Sequence, residues 1–259
     1  MRRYAPILQE IGGRLTGESP ALLRSDPMRW AYALRDAVEL ARPDLVVSHF
    51  DDRLEADTVL GAGRPDGDPI GWLAGVPELA TLRPAAAAVE LVGTLAGIYR
   101  SPGDPPVAAT LTGPATLAAR LAPELFPAGA GADERIDLAD LAADLLAALA
   151  RAYADAGAAV LIVLERQPEL LVTDADRAAA LEPLARAAAH RRVELLTSGP
   201  GDGVPAEVWS SPPHEFAAAW EHAEAGALDL LISDGPVPAG IPLGNLAQAR
   251  EAFAAHLAR

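Results

Sequence analysis

The 259-residue chain has no cysteine and no lysine, and only 5% of its residues are aromatic. Without cysteine there is no thiol nucleophile, disulfide, thiolate zinc site or cysteine-held cluster. The absence of lysine excludes Schiff-base catalysis and a phosphate-loop lysine. Every basic side chain is therefore an arginine, a group suited to bidentate carboxylate recognition, although an arginine-, alanine- and proline-rich composition is also what coding bias alone produces. No run approaches the ~18 uninterrupted apolar residues of a membrane span. The start "MRRYAPILQEIGGRL" lacks the apolar h-region of a secretory signal, so a cytoplasmic protein with no membrane partner is expected. A formal charge of −15 with no basic stripe argues against a nucleic-acid partner, because binding there depends on clustered positive charge releasing counterions.

What is present is an alternation. The helically spaced "PMRWAYALRDAVELAR" at 27–42 precedes the strand-like "DLVVSHF", and the helical "PAAAAVELVGTLAGIYR" precedes "PPVAATLTGP". Helical stretches at 115–122 and 136–156 lead into "AAVLIVLE" at 158–165, and one at 174–190 leads into "VELLTSGP" at 193–200. Then come "AEVWSS" at 206–211, the helical "HEFAAAWEHAEAG", "LDLLISDG" at 228–235 and a terminal helix from Leu246. Nearly continuous apolar strands separated by helices predict a parallel sheet covered on both faces. There is no glycine-rich turn after the first strand to favour an open doubly wound sheet, which stays as the alternative. The expectation is an α/β fold, one (β/α)8 TIM-type barrel over residues 1–259 with an irregular or missing first strand. Segments 61–69, 101–106 and 127–134 read as loops within that single domain.

Parallel α/β folds carry their functional groups at the C-terminal ends of strands. That rule selects His49, Asp51, Asp52 and Arg53 after "LVVSHF", Thr110 and Thr112, then Glu165 and Arg166, Thr197 and Ser198, Ser210 and Ser211, and Ser233 and Asp234. Polar residues are common where strands enter solvent, so each position alone is equally well a solvated strand end. For metal binding, the histidines at 49, 190, 214, 222 and 256 offer no close ligand pair, and each reads as a surface or capping residue.

Three segments in consistent order carry a resemblance. "FDDRLEADTVLG", with Asp52 nine residues before Gly61, "LTGPATLAARL" and "YADAGAAVLIVLE" resemble passages of the uroporphyrinogen decarboxylase superfamily, and "IPLGNL" is a weaker echo of its C-terminal pattern. The similarity spans roughly residues 27–253 and implies a β/α barrel. Glu165 stands where the family usually has aspartate. The decarboxylase branch needs no cofactor and implies Asp52 as the carboxylate facing the cleft, but this chain lacks the branch's early arginine segment, so tetrapyrrole decarboxylation itself is not expected. The corrinoid- and folate-linked methyltransferase branch uses a histidine- and cysteine-held zinc at a strand end, where this chain has Leu196 and Ser198.

Three expectations follow. The first is a zinc-free barrel enzyme, lyase-like or methyltransferase-like, acting on a small organic or methylated substrate. Asp52 and Glu165 would be its catalytic carboxylates, and His49, Arg53, Thr112, Arg166, Ser198 and Asp234 would contact substrate. It would hold no tightly bound cofactor, with a folate or corrinoid as co-substrate and a second copy or a methyltransferase subunit as partner. The second is a non-catalytic auxiliary barrel with an eroded site. The third, a small-molecule binding protein, differs only in lacking turnover.

Overall fold

The structure is a computed structural model that describes residues 3–168, 171, 173–199, 208–210 and 230–257. Among the described residues there are six strands, most of them followed by helices. Strand β1 (Arg3–Ala5) leads to α1 (Gln9–Thr16), α2 (Leu22–Ser25) and α3 (Pro27–Ala41), and β2 (Val46–Val47) to α4 (Leu54–Gly61), α5 (Pro69–Ala74) and α6 (Ala85–Ile98). Strand β3 (Val107–Thr112) is followed by α7 (Pro114–Leu125) and α8 (Ala132–Ala156), β4 (Val160–Leu164) by α9 (Asp174–Arg191), then β5 (Glu194–Ser198), β6 (Leu230–Ile232) and α10 (Leu243–Leu257).

All strand pairs are parallel: β2, β3, β4 and β5 form one sheet in sequence order, and β1 pairs with β6. Strand β1 meets the start of β2 through Asp44, whose N–H donates to the Tyr4 carbonyl at 2.7 Å while its Oδ2 accepts from the Tyr4 N–H at 2.9 Å. Among the described residues the strands do not close into a ring, and the larger sheet has four of them.

Local sequence explains where the helices begin. Asp26 accepts from the Arg29 N–H at 3.0 Å with Pro27 just inside α3, and Thr173 and Asp176 form a reciprocal capping box at α9. Strand side chains then alternate between two apolar layers. Tyr4, Val46, Val107, Ala109, Leu111, Leu161 and Val163 join the helices in a large outer core. Ala5, Val47, Ala108, Val160, Ile162, Leu164 and Ile232, drawn from both sheets, share a smaller inner one. At the end of that inner layer where the strands begin, Arg3 of β1 forms a two-point ion pair with Glu194 of β5, at 2.7 and 2.6 Å, although β2, β3 and β4 lie between them in sequence order.

Two sequence expectations need correction. The first strand is present as Arg3–Ala5, too short for periodicity to reveal. The expected strand "AEVWSS" is, where described, a 3₁₀ turn over Val208–Ser210. Prolines at 205, 212 and 213 supply no N–H to a ladder, and Trp209 is buried from the turn, 6.2 Å from the Tyr4 ring. The helix expected in "HEFAAAWEHAEAG" lies outside the described residues. No helix among the described residues is long and apolar enough to cross a membrane.

Candidate functional site

A narrow cleft with about 280 Å³ of empty space, mouth included, opens where β2, β3 and β4 end. It is lined by Phe50, Asp51, Asp52, Glu55, Thr110, Leu111, Thr112, Thr116, Leu164 and Arg166. Its closed part has room for about one water molecule. A wider outer chamber of about 760 Å³ shares Phe50, Asp51 and Asp52 with it and adds Gln9, Leu23, Arg24 and Pro236.

Glu55 is the centre of the inner cleft. It sits in the first turn of α4, on the face that also buries Thr58 and Val59, and is 1% exposed. Its Oε1 accepts from the Thr112 N–H at 3.1 Å and its Oε2 from the Thr112 hydroxyl at 2.6 Å. Burial dominates over these two donors and pushes its pKa up to about 7. A carboxyl group placed there exchanges protons near neutrality, the property a general acid or base needs.

His49, expected at the surface or as a cap, is instead 2% exposed. Its Nδ1 lies 2.8 Å from the Ser48 hydroxyl and its Nε2 lies 3.4 Å from the Tyr153 hydroxyl, and its carbonyl accepts from the Thr110 hydroxyl at 2.7 Å. Burial pushes its pKa down to about 4, so the ring is neutral at pH 7. Burial likewise raises the Tyr153 pKa, with Glu55 and Asp51 acting in the same direction.

The rim consists of paired charges. Asp51 takes two hydrogen bonds from Arg24, at 3.0 and 2.6 Å, and one from the Arg53 N–H at 3.1 Å, so it both holds an arginine and closes the turn into α4. Arg24 also reaches Asp57 at 2.6 Å. Asp52 lines the cleft and pairs with Arg120 of α7. Arg166 pairs with Asp234 and lies 5.9 Å from the Phe50 ring centre. Arg53 points outward, 68% exposed, with Asp57 at 4.0 Å.

Glu165 is occupied elsewhere. Its carboxylate accepts from the Ala115 N–H at 3.1 Å, from the Thr116 N–H at 2.8 Å and from the Thr116 hydroxyl, satisfying the free donors at the start of α7 and matching the positive end of that helix. Thr116 Oγ1 in turn accepts from the Arg166 and Gln167 N–H groups at 2.7 and 3.0 Å. Gly113 makes room: a Cβ there would lie 2.9 Å from Glu165 Cα and closer still to its carboxylate. Glu165→Ala is expected to cost about 1–2 kcal/mol of stability, as loss of a good helix cap does, and Gly113→Ala to destabilise as well by displacing Glu165. Urea unfolding measures both, and unchanged midpoints would remove the capping role.

Of the residues singled out in the sequence, Asp51, Asp52, Thr110, Thr112 and Arg166 therefore meet around one cleft, His49 lies buried beside it, and Asp234 reaches it through Arg166. Ser198 is buried at the end of β5, while Glu165 is turned to α7 and Arg53 to solvent. Sequence reasoning missed Glu55, Arg24, Arg120 and Tyr153. A glutamate inside the otherwise apolar face of "LEADTVLG" was the available signal for the first. The positions matching the family's zinc ligands hold Leu196 and Ser198, which do not fit a thiolate site, and the described residues contain no group of three histidine or acidic side chains able to hold a metal.

No protein-family model and no curated protein matches the chain. Among solved structures it is similar to a methyltransferase from Methanosarcina mazei, with a TM-score of 0.73 at 15% identity over 98% of this chain and 94% of that one. At that identity the likeness establishes a shared fold.

Proposed function

We propose that the chain is a single barrel domain of the uroporphyrinogen decarboxylase type. It would act in the cytoplasm, without zinc, on a small organic or methylated substrate by decarboxylation or methyl-transfer-type chemistry. The inner apolar layer drawn from both sheets and the Arg3–Glu194 pair across it support the barrel. The fold shared with a methyltransferase supports the choice of chemistry. The observation that carries the reading is Glu55, a buried carboxyl at the strand ends with a pKa of about 7, lining the cleft beside Asp52 and Arg166.

In this reading Glu55 donates or removes the proton at the reacting atom, and Thr112 holds its carboxyl group in place. Asp52 and Arg120 orient the substrate at the mouth, Arg166 offers it a cation, and Glu165 fixes α7. The inner cleft does not fit a pterin or a corrin, so a folate or corrinoid co-substrate would meet the substrate from the outer chamber, and no step is routed through it. A methyltransferase subunit or a second copy would dock at the same end.

One observation favours the auxiliary reading. The rim aspartates and arginines neutralise one another, and the closed part of the cleft admits only a water-sized group. A screen of small carboxylated and methylated compounds against wild type, Glu55→Gln and Asp52→Asn separates the two. Turnover lost in Glu55→Gln supports the enzyme. Turnover indifferent to Glu55 refutes its role, and its absence for every compound favours the auxiliary barrel.

A further inference from the structure

Three carboxylates, from Asp51, Asp52 and Glu55, line the inner cleft against one arginine, Arg166. The arginines around the rim already have aspartates: Arg24 holds Asp51 and Asp57, Arg120 holds Asp52, and Arg166 holds Asp234. Glu55 has its two Thr112 donors and no ion-pair partner among the described residues. The sequence supplies no obvious substitute, since the chain has no lysine and residues 200–229, which lie mostly outside the described residues, contain no arginine. A buried carboxylate left without a cation is costly to ionise, and a ligand that brings the cation removes that cost.

Building on the proposed small-molecule site, we infer that its substrate is a primary amine, seated with its ammonium group in the closed part of the cleft against Glu55. The space there fits about one water molecule. A primary ammonium group is close to that size and carries only donors, the complement of a carboxylate, whereas a trimethylammonium group is too large. The carbon chain runs outward past Phe50, Leu111 and Leu164, apolar members of the same lining, into the outer chamber that begins at Phe50, Asp51 and Asp52. An anionic head group in the closed part would meet three carboxylates, and a neutral one would leave Glu55 uncompensated when it ionises. The proton that Glu55 exchanges is then one of the amine's: an N–H bond breaks as an O–H bond forms on the carboxylate, and the electron pair stays on nitrogen.

The test titrates the protein at constant ionic strength with n-propylammonium, 1-propanol and trimethylpropylammonium, following the Thr112 amide and the Glu55 carboxyl carbon by NMR. Wild type binds propylammonium about fivefold or more tightly than either of the others, and a saturating amount lowers the Glu55 titration midpoint by about one pH unit or more. In Glu55→Gln the preference for propylammonium over propanol disappears. Equal affinity for propanol or for the trimethyl compound, a Glu55 midpoint that propylammonium leaves in place, a preference retained in Glu55→Gln, or no binding of any probe would each overturn the inference. These outcomes are separate from turnover: a failed amine with Glu55→Gln still inactive removes only the ligand class, whereas an active Glu55→Gln removes the underlying site reading.

Discussion

Replacing Glu55 by glutamine is expected to abolish proton transfer in the cleft while making the protein more stable at pH 8. The catalytic part follows from the removal of a positioned acid or base, typically a loss of about 10²–10⁴-fold in turnover. The stability part follows from linkage. Unfolded, Glu55 titrates near 4.5, and folded, near 7, so between those values the native state holds a proton that the unfolded chain has released. Its favourable contribution is complete below pH 4.5 and is lost as pH rises through 7, about 3 kcal/mol as an upper limit. Glutamine carries no charge to bury, and its amide keeps an oxygen to accept from Thr112. Urea unfolding of wild type and variant at pH 5 and pH 8 reads the difference: the variant gains on wild type as pH rises. Parallel pH curves would mean that Glu55 ionises in the folded state at ordinary cost.

His49→Ala is expected to destabilise by about 3 kcal/mol or more at pH 7, through the cavity it leaves and the Ser48 and Tyr153 hydroxyls it orphans. Its pH signature is opposite to that of Glu55. The folded ring titrates near 4 and the unfolded one near 6.5, so its contribution is complete above 6.5 and is lost as pH falls through 4. Across the shared window of about 4.5–6.5 the two slopes nearly cancel in the wild type. Each variant uncovers the other residue: stability rises with pH through this window in Glu55→Gln and falls in His49→Ala. Urea midpoints at half-unit intervals resolve this, and a pair of variants sloping the same way would contradict the assignment of both groups.

The legible part of the molecule is the part set by local periodicity. Long helices such as Pro27–Ala41 and Asp174–Arg191 show a 3.6-residue apolar repeat or clear caps, and β3 and β4, buried on both faces, stand out as unbroken apolar runs. Strand β1 was not legible because three residues carry no period and its partner β6 lies at the other end of the chain. The 206–211 segment looked strand-like because valine and tryptophan favour strands, but Trp209 is buried from a turn.

The site divides in the same way. Proximity to strand ends found Asp52, Thr112 and Arg166, which are near the cleft because the backbone puts them there. It could not tell which carboxylate is left for chemistry, since that depends on partners distant in sequence. Glu165 is claimed by the start of α7, 50 residues earlier in the chain, and Asp51 by Arg24. Glu55, in the first turn of a helix and so outside any strand-end rule, has no ion-pair partner among the described residues and is desolvated by burial beside Leu54 and Val59 of the outer core. His49 was misjudged for a related reason. A histidine at a strand end is normally solvated, whereas this one is buried with the Tyr153 ring, from the far end of α8, 5.8 Å away.

The central claim, that the cleft holds a carboxyl group poised near neutrality, is tested most directly by following the Glu55 side-chain carboxyl carbon by ¹³C NMR from pH 4 to 9, assigned by its absence in Glu55→Gln. The account predicts a titration midpoint near 7, well above the remaining glutamates. A midpoint in the ordinary range around 4.5 would contradict it.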